Sequence, residues 1–204
     1  MGDFEAHVTV GGDEGGRLVG WGRERGVKVA QIVLARGERV SQPMVTLRGG
    51  GSYREQYAAA RRCVEALRGA GFTVVRVKVE CAAWAEAVPA PPYRKDQYYE
   101  HHVKLALGAG AELGALARAV AGHGAHLSWN ARRVAGGGRH ERFVTQRCHG
   151  GGAGAARSAL GRLLHELRGR QIVSVEREFV LYDSDLSVDE GWLDGGTTAG
   201  GEET

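Results

Sequence analysis

Two segments, about half the chain apart, carry the same residue types at the same spacing and could perform acid–base chemistry. In each, a glutamate, a histidine and a polar residue alternate: Glu5, His7 and Thr9 in FEAHVTV at 4–10, and Glu100, His102 and Lys104 in YEHHVKL at 99–105. Imidazole takes up and releases protons near neutral pH. The repetition is a coincidence, a duplicated structural strand or two halves of one active site.

A second pair of segments supplies groups that bind anions. PMVTLR at 43–48 contains Thr46 and Arg48, and RFVTQR at 142–147 contains Thr145 and Arg147. Hydroxyl and guanidinium groups bind phosphate oxygens well. With Arg76 and Lys78 from a further strand-like segment, these side chains predict a site for a phosphate.

The elements that must position these residues follow one order in both halves. Alternating segments indicate strands, and apolar stripes such as Tyr57, Ala60, Val64 and Leu67 indicate helices. Each half therefore reads as β-α-β-β-α-β, the ferredoxin-like unit with two helices on one face of an antiparallel sheet. The sequence predicts an α+β fold: a tandem duplication of this unit, with two antiparallel sheets facing a shared cleft.

The predicted organisation has four parts. These are a first ferredoxin-like repeat at 1–87, a Pro-rich linker at 88–97, a second repeat at 98–183 and an acidic C-terminal segment at 184–204. We expect disorder from about residue 195, where the sequence becomes GGTTAGGEET. YDSDLSVDEGWLD at 182–194 is either a docking segment that covers the cleft or simply an acidic tail. We expect order to about Leu193, because Trp192 and Leu193 are atypical of a solvated tail.

Composition and charge bear on the protein's partners and its cellular location. The net charge of +3 comes from 27 basic and 24 acidic residues, so charge alone does not indicate nucleic-acid binding, although it does not exclude it. No apolar run reaches the roughly 20 residues of a membrane span, and the N-terminus lacks a signal-peptide pattern. Three cysteines without a Cys-x-x-Cys spacing favour a reducing, cytoplasmic location. Nothing in the sequence indicates an oligomeric state.

One motif resembles a known family. His7-Val8-Thr9 is similar to the His-x-Thr/Ser motif of the two-histidine phosphoesterases, which act on cyclic or 2′,5′ phosphodiesters. The resemblance implies that His7 and His102 are the catalytic base and acid. The second copy departs from the motif, because Lys104 replaces the hydroxyl residue. The overall pattern also resembles a bacterial protein family of undefined function, which implies no chemistry.

A metal site is the alternative to a site without a cofactor. Four glutamates on the polar strand faces are candidate ligands: Glu5, Glu100, Glu176 and Glu178. Strand Glu-x-His pairs are, however, more often hydrogen-bonded ion pairs. VEREF at 175–179 resembles the acidic strand of the triphosphate tunnel enzymes, which bind nucleoside triphosphates with a divalent metal, but that motif belongs near an N-terminus.

The sequence thus predicts a hydrolase-like enzyme, phosphoesterase in type, that acts on a phosphate-containing small molecule such as a nucleotide. The alternative is a non-catalytic module that binds an anion, a small molecule or a protein. The polar faces could also be merely solvated. The predicted catalytic residues are His7, His102, Thr9 and Lys104, and the predicted substrate-binding residues are Thr46, Arg48, Arg76, Lys78, Thr145 and Arg147.

Overall fold

The computed structural model describes residues 2–12, 14–132 and 139–192. The first half contains, in order, β1 (Gly2–Val10), α1 (Gly15–Glu24), β2 (Lys28–Leu34), β3 (Ser41–Gly51), α2 (Tyr53–Gly69) and β4 (Val74–Ala82). The second half contains β5 (Tyr98–Gly108), α3 (Leu113–Ala121), β6 (Ala125–Asn130), β7 (Arg139–Cys148), α4 (Ala153–Glu166) and β8 (Gln171–Asp183). A short 3-10 helix, Leu186–Asp189, follows β8.

Helix α2 forms where an apolar stripe follows a capping signal. In α2, Ser52 and Glu55 make a capping box, with the Ser52 amide donating to Glu55 Oε2 at 2.8 Å. Ala60, Val64 and Leu67 then lie buried against the sheet. Such a stripe fixes which face of the helix packs, and so which face of the sheet is covered.

The four α-helices of the described residues pack on the outside of the strands. α1 and α2 cover the first-half strands, and α3 and α4 cover those of the second half. Each half has its own apolar core between helices and strands. A third cluster, which includes Phe4, Tyr99 and Phe179, joins the halves. The opposite strand faces therefore point away from the helices.

The prediction of two ferredoxin-like sheets facing a cleft is wrong. The strands form one closed antiparallel barrel in the order β1-β3-β2-β6-β7-β5-β8-β4, with β4 returning to β1. The halves are joined because β4 pairs with β8 from Lys78 to Ala82, and β2 pairs with β6 from Ile32 to Leu34. A separate four-stranded sheet would expose unpaired N–H and C=O groups on its edge strands, and closure removes those edges.

The strand registers of the two halves correspond. His7 lies opposite Thr46 and Lys78, and Glu5 lies opposite Arg48 and Glu80. In the second half His102 lies opposite Thr145 and Glu176, and Glu100 lies opposite Arg147 and Glu178. Because alternate side chains share a face, these polar residues all point into the barrel lumen.

Residues 83–97 connect the halves, and the stretch from Ser184 to Trp192 lies against the barrel after β8. The predicted disorder from about residue 195 concerns residues outside those described. None of the described helices has the length and apolar character needed to cross a membrane.

Candidate functional site inside the barrel

The barrel lumen contains a cavity of about 250 Å³ lined by polar and charged side chains. Every site residue that the sequence predicts lines it. The predicted catalytic group comprises His7, Thr9, His102 and Lys104, the predicted substrate-binding group Thr46, Arg48, Arg76, Lys78, Thr145 and Arg147, and the metal candidates Glu5, Glu100, Glu176 and Glu178. Closure of the barrel thus brings together side chains that were expected on two separate sheets.

The two histidines have equivalent threonine partners. His7 Nδ1 is 3.1 Å from Thr46 Oγ1, and His102 Nδ1 is 2.9 Å from Thr145 Oγ1. Each contact joins the first strand of a half to its third strand. The threonines therefore orient the imidazoles, a role that differs from the substrate contact predicted for them.

The opposite ring nitrogens contact carboxylates. His7 Nε2 is 2.8 Å from Glu80 Oε1. His102 Nε2 lies between two carboxylates, 3.2 Å from Glu100 Oε2 and 3.4 Å from Glu178 Oε2. All four imidazole nitrogens of the pair are thus within hydrogen-bond distance of the protein itself.

Lys78 connects the two histidines electrostatically. Its Nζ is 2.8 Å from Glu80 Oε2 and also contacts Glu100 Oε2. The resulting chain runs from His7 through Glu80, Lys78 and Glu100 to His102. The ammonium stabilises both carboxylates, and burial alone would not allow them to remain charged.

These contacts set the pKa values inside the lumen. Burial acts to raise the pKa of Glu80, but Lys78 and then His7 outweigh it and lower the pKa to about 2. Burial acts to lower the pKa of His102, but Glu100 and then Glu178 outweigh it and raise the pKa to about 10. Desolvation, and then the charge of Glu80, raises the pKa of Glu178. His102 is therefore a protonated imidazolium at neutral pH.

This bonding does not favour acid–base catalysis. A general base needs a free ring nitrogen within reach of the substrate proton, and a pKa near the working pH. Both His102 nitrogens are bonded and its pKa is about 10. Both His7 nitrogens are bonded as well. The histidines hold the lumen together in this arrangement.

Glu100, His102 and Glu178 offer ligand atoms within 4.8 Å of one another, so they could in principle hold a metal ion. Two of these were metal candidates from the sequence, whereas Glu5 and Glu176 fall outside the cluster. A metal would have to replace the His102 proton and lie near the cations Lys78 and Arg147, which already neutralise Glu100. The local charges thus favour a proton over a divalent ion.

One end of the lumen is closed by the C-terminal segment, residues 184–192. Asp189, 1% exposed, accepts hydrogen bonds from Arg76 Nη1 at 2.8 Å and Arg147 Nη2 at 2.7 Å. The indole N–H of Trp192 donates to the Leu127 carbonyl at 3.0 Å. Sequence reasoning did not assign Asp189 to the site. The apolar residues within the acidic segment were the signal that this stretch docks on the barrel.

The other end is more open. Along β3 the lumen residues run from Gln42, which contacts Asp189, to Arg48, whose side chain is 71% exposed. Lys104 lies on this side of His102, with Glu141 as its nearest carboxylate at 3.6 Å. Among the described residues, no ion pair or hydrogen bond engages the Lys28 side chain. Small solutes can therefore meet these cations first.

Comparisons with known proteins add little to this geometry. No family model matches the chain, and no curated protein matches it. Among solved structures, the acetolactate synthase small subunit from Thermotoga maritima is similar over 89% of this chain and 99% of its own, with 12% sequence identity and a TM-score of 0.28. That TM-score is too low to carry a conclusion. The comparisons therefore give no support to the predicted classification as a phosphoesterase or hydrolase.

Proposed function

We propose that this protein binds a small anionic molecule, bearing a phosphate or a carboxylate, in the lumen of its barrel without chemically transforming it. The observation that carries the proposal is the lining of the cavity. Charged side chains from both halves converge there. Near its open side, Lys28 has no ion-pair partner among the described residues, and Lys104 has one, Glu141, at 3.6 Å.

The charge balance of the lumen favours an anion. The described lining residues include six Lys or Arg side chains and six Asp or Glu side chains. His102, protonated with a pKa of about 10, adds a further positive charge. The deep cations Arg76, Lys78 and Arg147 already neutralise buried carboxylates. Lys28 and Lys104 then supply the positive charge that an entering anion can use.

Binding fits the site better than turnover because the histidines are already fully bonded. The tight network from His7 to His102 makes a rigid wall, which suits a recognition site. Hydrolysis of a phosphodiester would require one imidazole to release its protein partners. The cytoplasmic location expected from the cysteines belongs to the same proposal.

The test is a phosphate titration of Lys104→Ala by isothermal calorimetry, with inorganic phosphate as the probe. Lys104 faces the lumen, and Lys95, in the exposed connection between the halves, is the matched control. We expect Lys104→Ala to weaken phosphate binding by about tenfold or more, since it removes a charge-assisted contact worth roughly 1.5–3 kcal/mol. Lys95→Ala should bind as the unaltered chain does.

Equal phosphate affinity of the two variants would contradict the proposal, as would the absence of measurable phosphate binding to the unaltered chain. Release of product from a phosphodiester panel by the purified protein, lost on His7→Ala or His102→Ala, would instead restore the catalytic hypothesis.

A further inference from the structure

A pair of buried arginines at the closed end of the lumen forms a second place where an anion is held. Arg76 and Arg147 both direct guanidinium nitrogens at one carboxylate oxygen, Asp189 Oδ2, at 2.8 and 2.7 Å. Gln42 Nε2 donates to the other oxygen, Oδ1, at 2.8 Å. Two arginines and an amide around one carboxylate are the donor set that proteins use for phosphate and carboxylate ligands.

The carboxylate in this site belongs to a short segment at the end of the described chain. Asp189 is the last residue of a four-residue 3-10 helix, in which Ser187 is exposed, and Glu190, the residue after the helix, is exposed as well. Several contacts hold this segment on the barrel: Val188 and Trp192 are buried, Gln42 Nε2 donates to the Val188 carbonyl at 3.3 Å, and the Trp192 carbonyl accepts from Arg36 Nε at 3.3 Å. It nevertheless lies outside the strand pairing of the barrel, and short segments of this kind open more readily than strands do.

Arg147 retains donor capacity, whereas the nitrogens of Arg76 are bonded to Asp189, Asp183 and Tyr98. Arg147 Nε donates to Glu100 and Nη2 to Asp189, but Nη1 is buried and has no hydrogen-bond partner among the described residues. A buried unsatisfied donor is unfavourable, and a ligand with three or four oxygens could satisfy it where a carboxylate does not. The side chain is 6% exposed and lines the cavity.

We propose that Arg76, Arg147 and Gln42 form an anion subsite that the chain's own Asp189 fills, and that a phosphate-bearing or carboxylate-bearing small molecule takes this subsite by displacing the Asp189 carboxylate. The C-terminal segment is then a competitor of the ligand as well as a cover over the lumen. This inference rests on the proposed function only in that both place an anion in the same cavity.

The test compares inorganic phosphate affinity in Asp189→Asn and Glu190→Gln. The asparagine keeps the shape of residue 189 but removes the competing charge, while the exposed neighbour Glu190 is the matched control for lost negative charge. We expect Asp189→Asn to bind phosphate about tenfold more tightly than Glu190→Gln. Equal affinity in the two variants would overturn the subsite.

A second variant covers the case in which Asp189→Asn folds poorly. Val188→Ala weakens the docking of the segment and leaves both arginines in place, so it should also tighten phosphate binding. Adding phosphate to this variant should expose Trp192, which is measured as a red shift in tryptophan fluorescence. A red shift with unchanged phosphate affinity would count against competition by Asp189.

Combining these variants with Lys104→Ala separates the two proposals. If Asp189→Asn still raises phosphate affinity in the Lys104→Ala background, the subsite is supported, even where Lys104→Ala alone leaves phosphate affinity unchanged. If Lys104→Ala lowers phosphate affinity and Asp189→Asn does not raise it, the proposed function stands and the subsite is overturned.

Discussion

The two halves of the barrel each place a glutamate, a histidine, a threonine and an arginine at equivalent strand positions, yet the surroundings of these residues differ. In the first half Arg48 pairs with Glu5 at 3.1 Å, and the arginine side chain is 71% exposed. In the second half Arg147 pairs with Glu100 at 2.6 Å, and both side chains are almost fully buried. Among the described residues, Asp189 of the C-terminal segment contacts the arginine of the second pair and not that of the first. The C-terminal segment, which has no counterpart in the first half, therefore accounts for the burial of the Arg147–Glu100 pair, whereas the equivalent Arg48–Glu5 pair stays exposed.

The two lumen histidines, His7 and His102, also differ in the charged groups that surround them. His7 lies across from Lys78 on β4, whereas His102 lies across from Glu176 on β8. His102 also has two carboxylates at its Nε2, Glu100 and Glu178. The second half thus surrounds its histidine with more negative charge, which is why the pKa of His102 is raised to about 10.

The largest expected difference between the halves is in the stability of the arginine variants. Arg147→Ala leaves Glu100 and Asp189 buried without this partner, and breaking such a buried pair destabilises by about 3–5 kcal/mol. Arg48→Ala removes an exposed pair, worth less than about 1 kcal/mol. Urea denaturation of both variants measures the difference. Similar losses in the two variants would show that the C-terminal segment does not set the environment of Arg147.

A smaller difference should appear in the pH dependence of stability. The pKa of His102 is raised from 6.5 to about 10, so its contribution is complete below about pH 6.5 and is lost as pH rises toward 10. Between pH 7 and 9 the free energy of unfolding should fall by up to about 1.4 kcal/mol per pH unit more in the unaltered chain than in His102→Gln.

His7→Gln is the matched control for that measurement, because it keeps His102 and its two carboxylates. Its free energy of unfolding should retain the alkaline decline of the unaltered chain. A decline that persists in His102→Gln and disappears in His7→Gln would reverse the roles of the two halves.

The alternation of side chains along the strands was enough to predict that most of the lumen residues share the sheet face opposite the helices. The alternation in FEAHVTV and YEHHVKL puts His7 and His102 on the face away from the helices, and the apolar stripe of α2 identifies the covered face. Such periodicities depend on neighbouring residues along the chain, so they can be seen in one sequence.

Closure of the barrel could not be predicted in the same way. It depends on β4 meeting β8 and on a contact of three residue pairs between β2 and β6. Backbone hydrogen bonds across an edge carry no signature of side-chain type. The contact of Asp189 with the lumen arginines could not be predicted either, because Arg147 and Arg76 lie 42 and 113 positions away in the sequence.

The most direct test of anion binding in the lumen is an NMR titration of the imidazole resonances with inorganic phosphate. The chain has eight histidines, and His123 and His165 lie outside the lumen lining. We predict saturable shifts for His7 and His102, with the resonances of His123 and His165 unchanged. Shifts confined to the outer histidines, or no saturable shift at His7 and His102, would contradict the account.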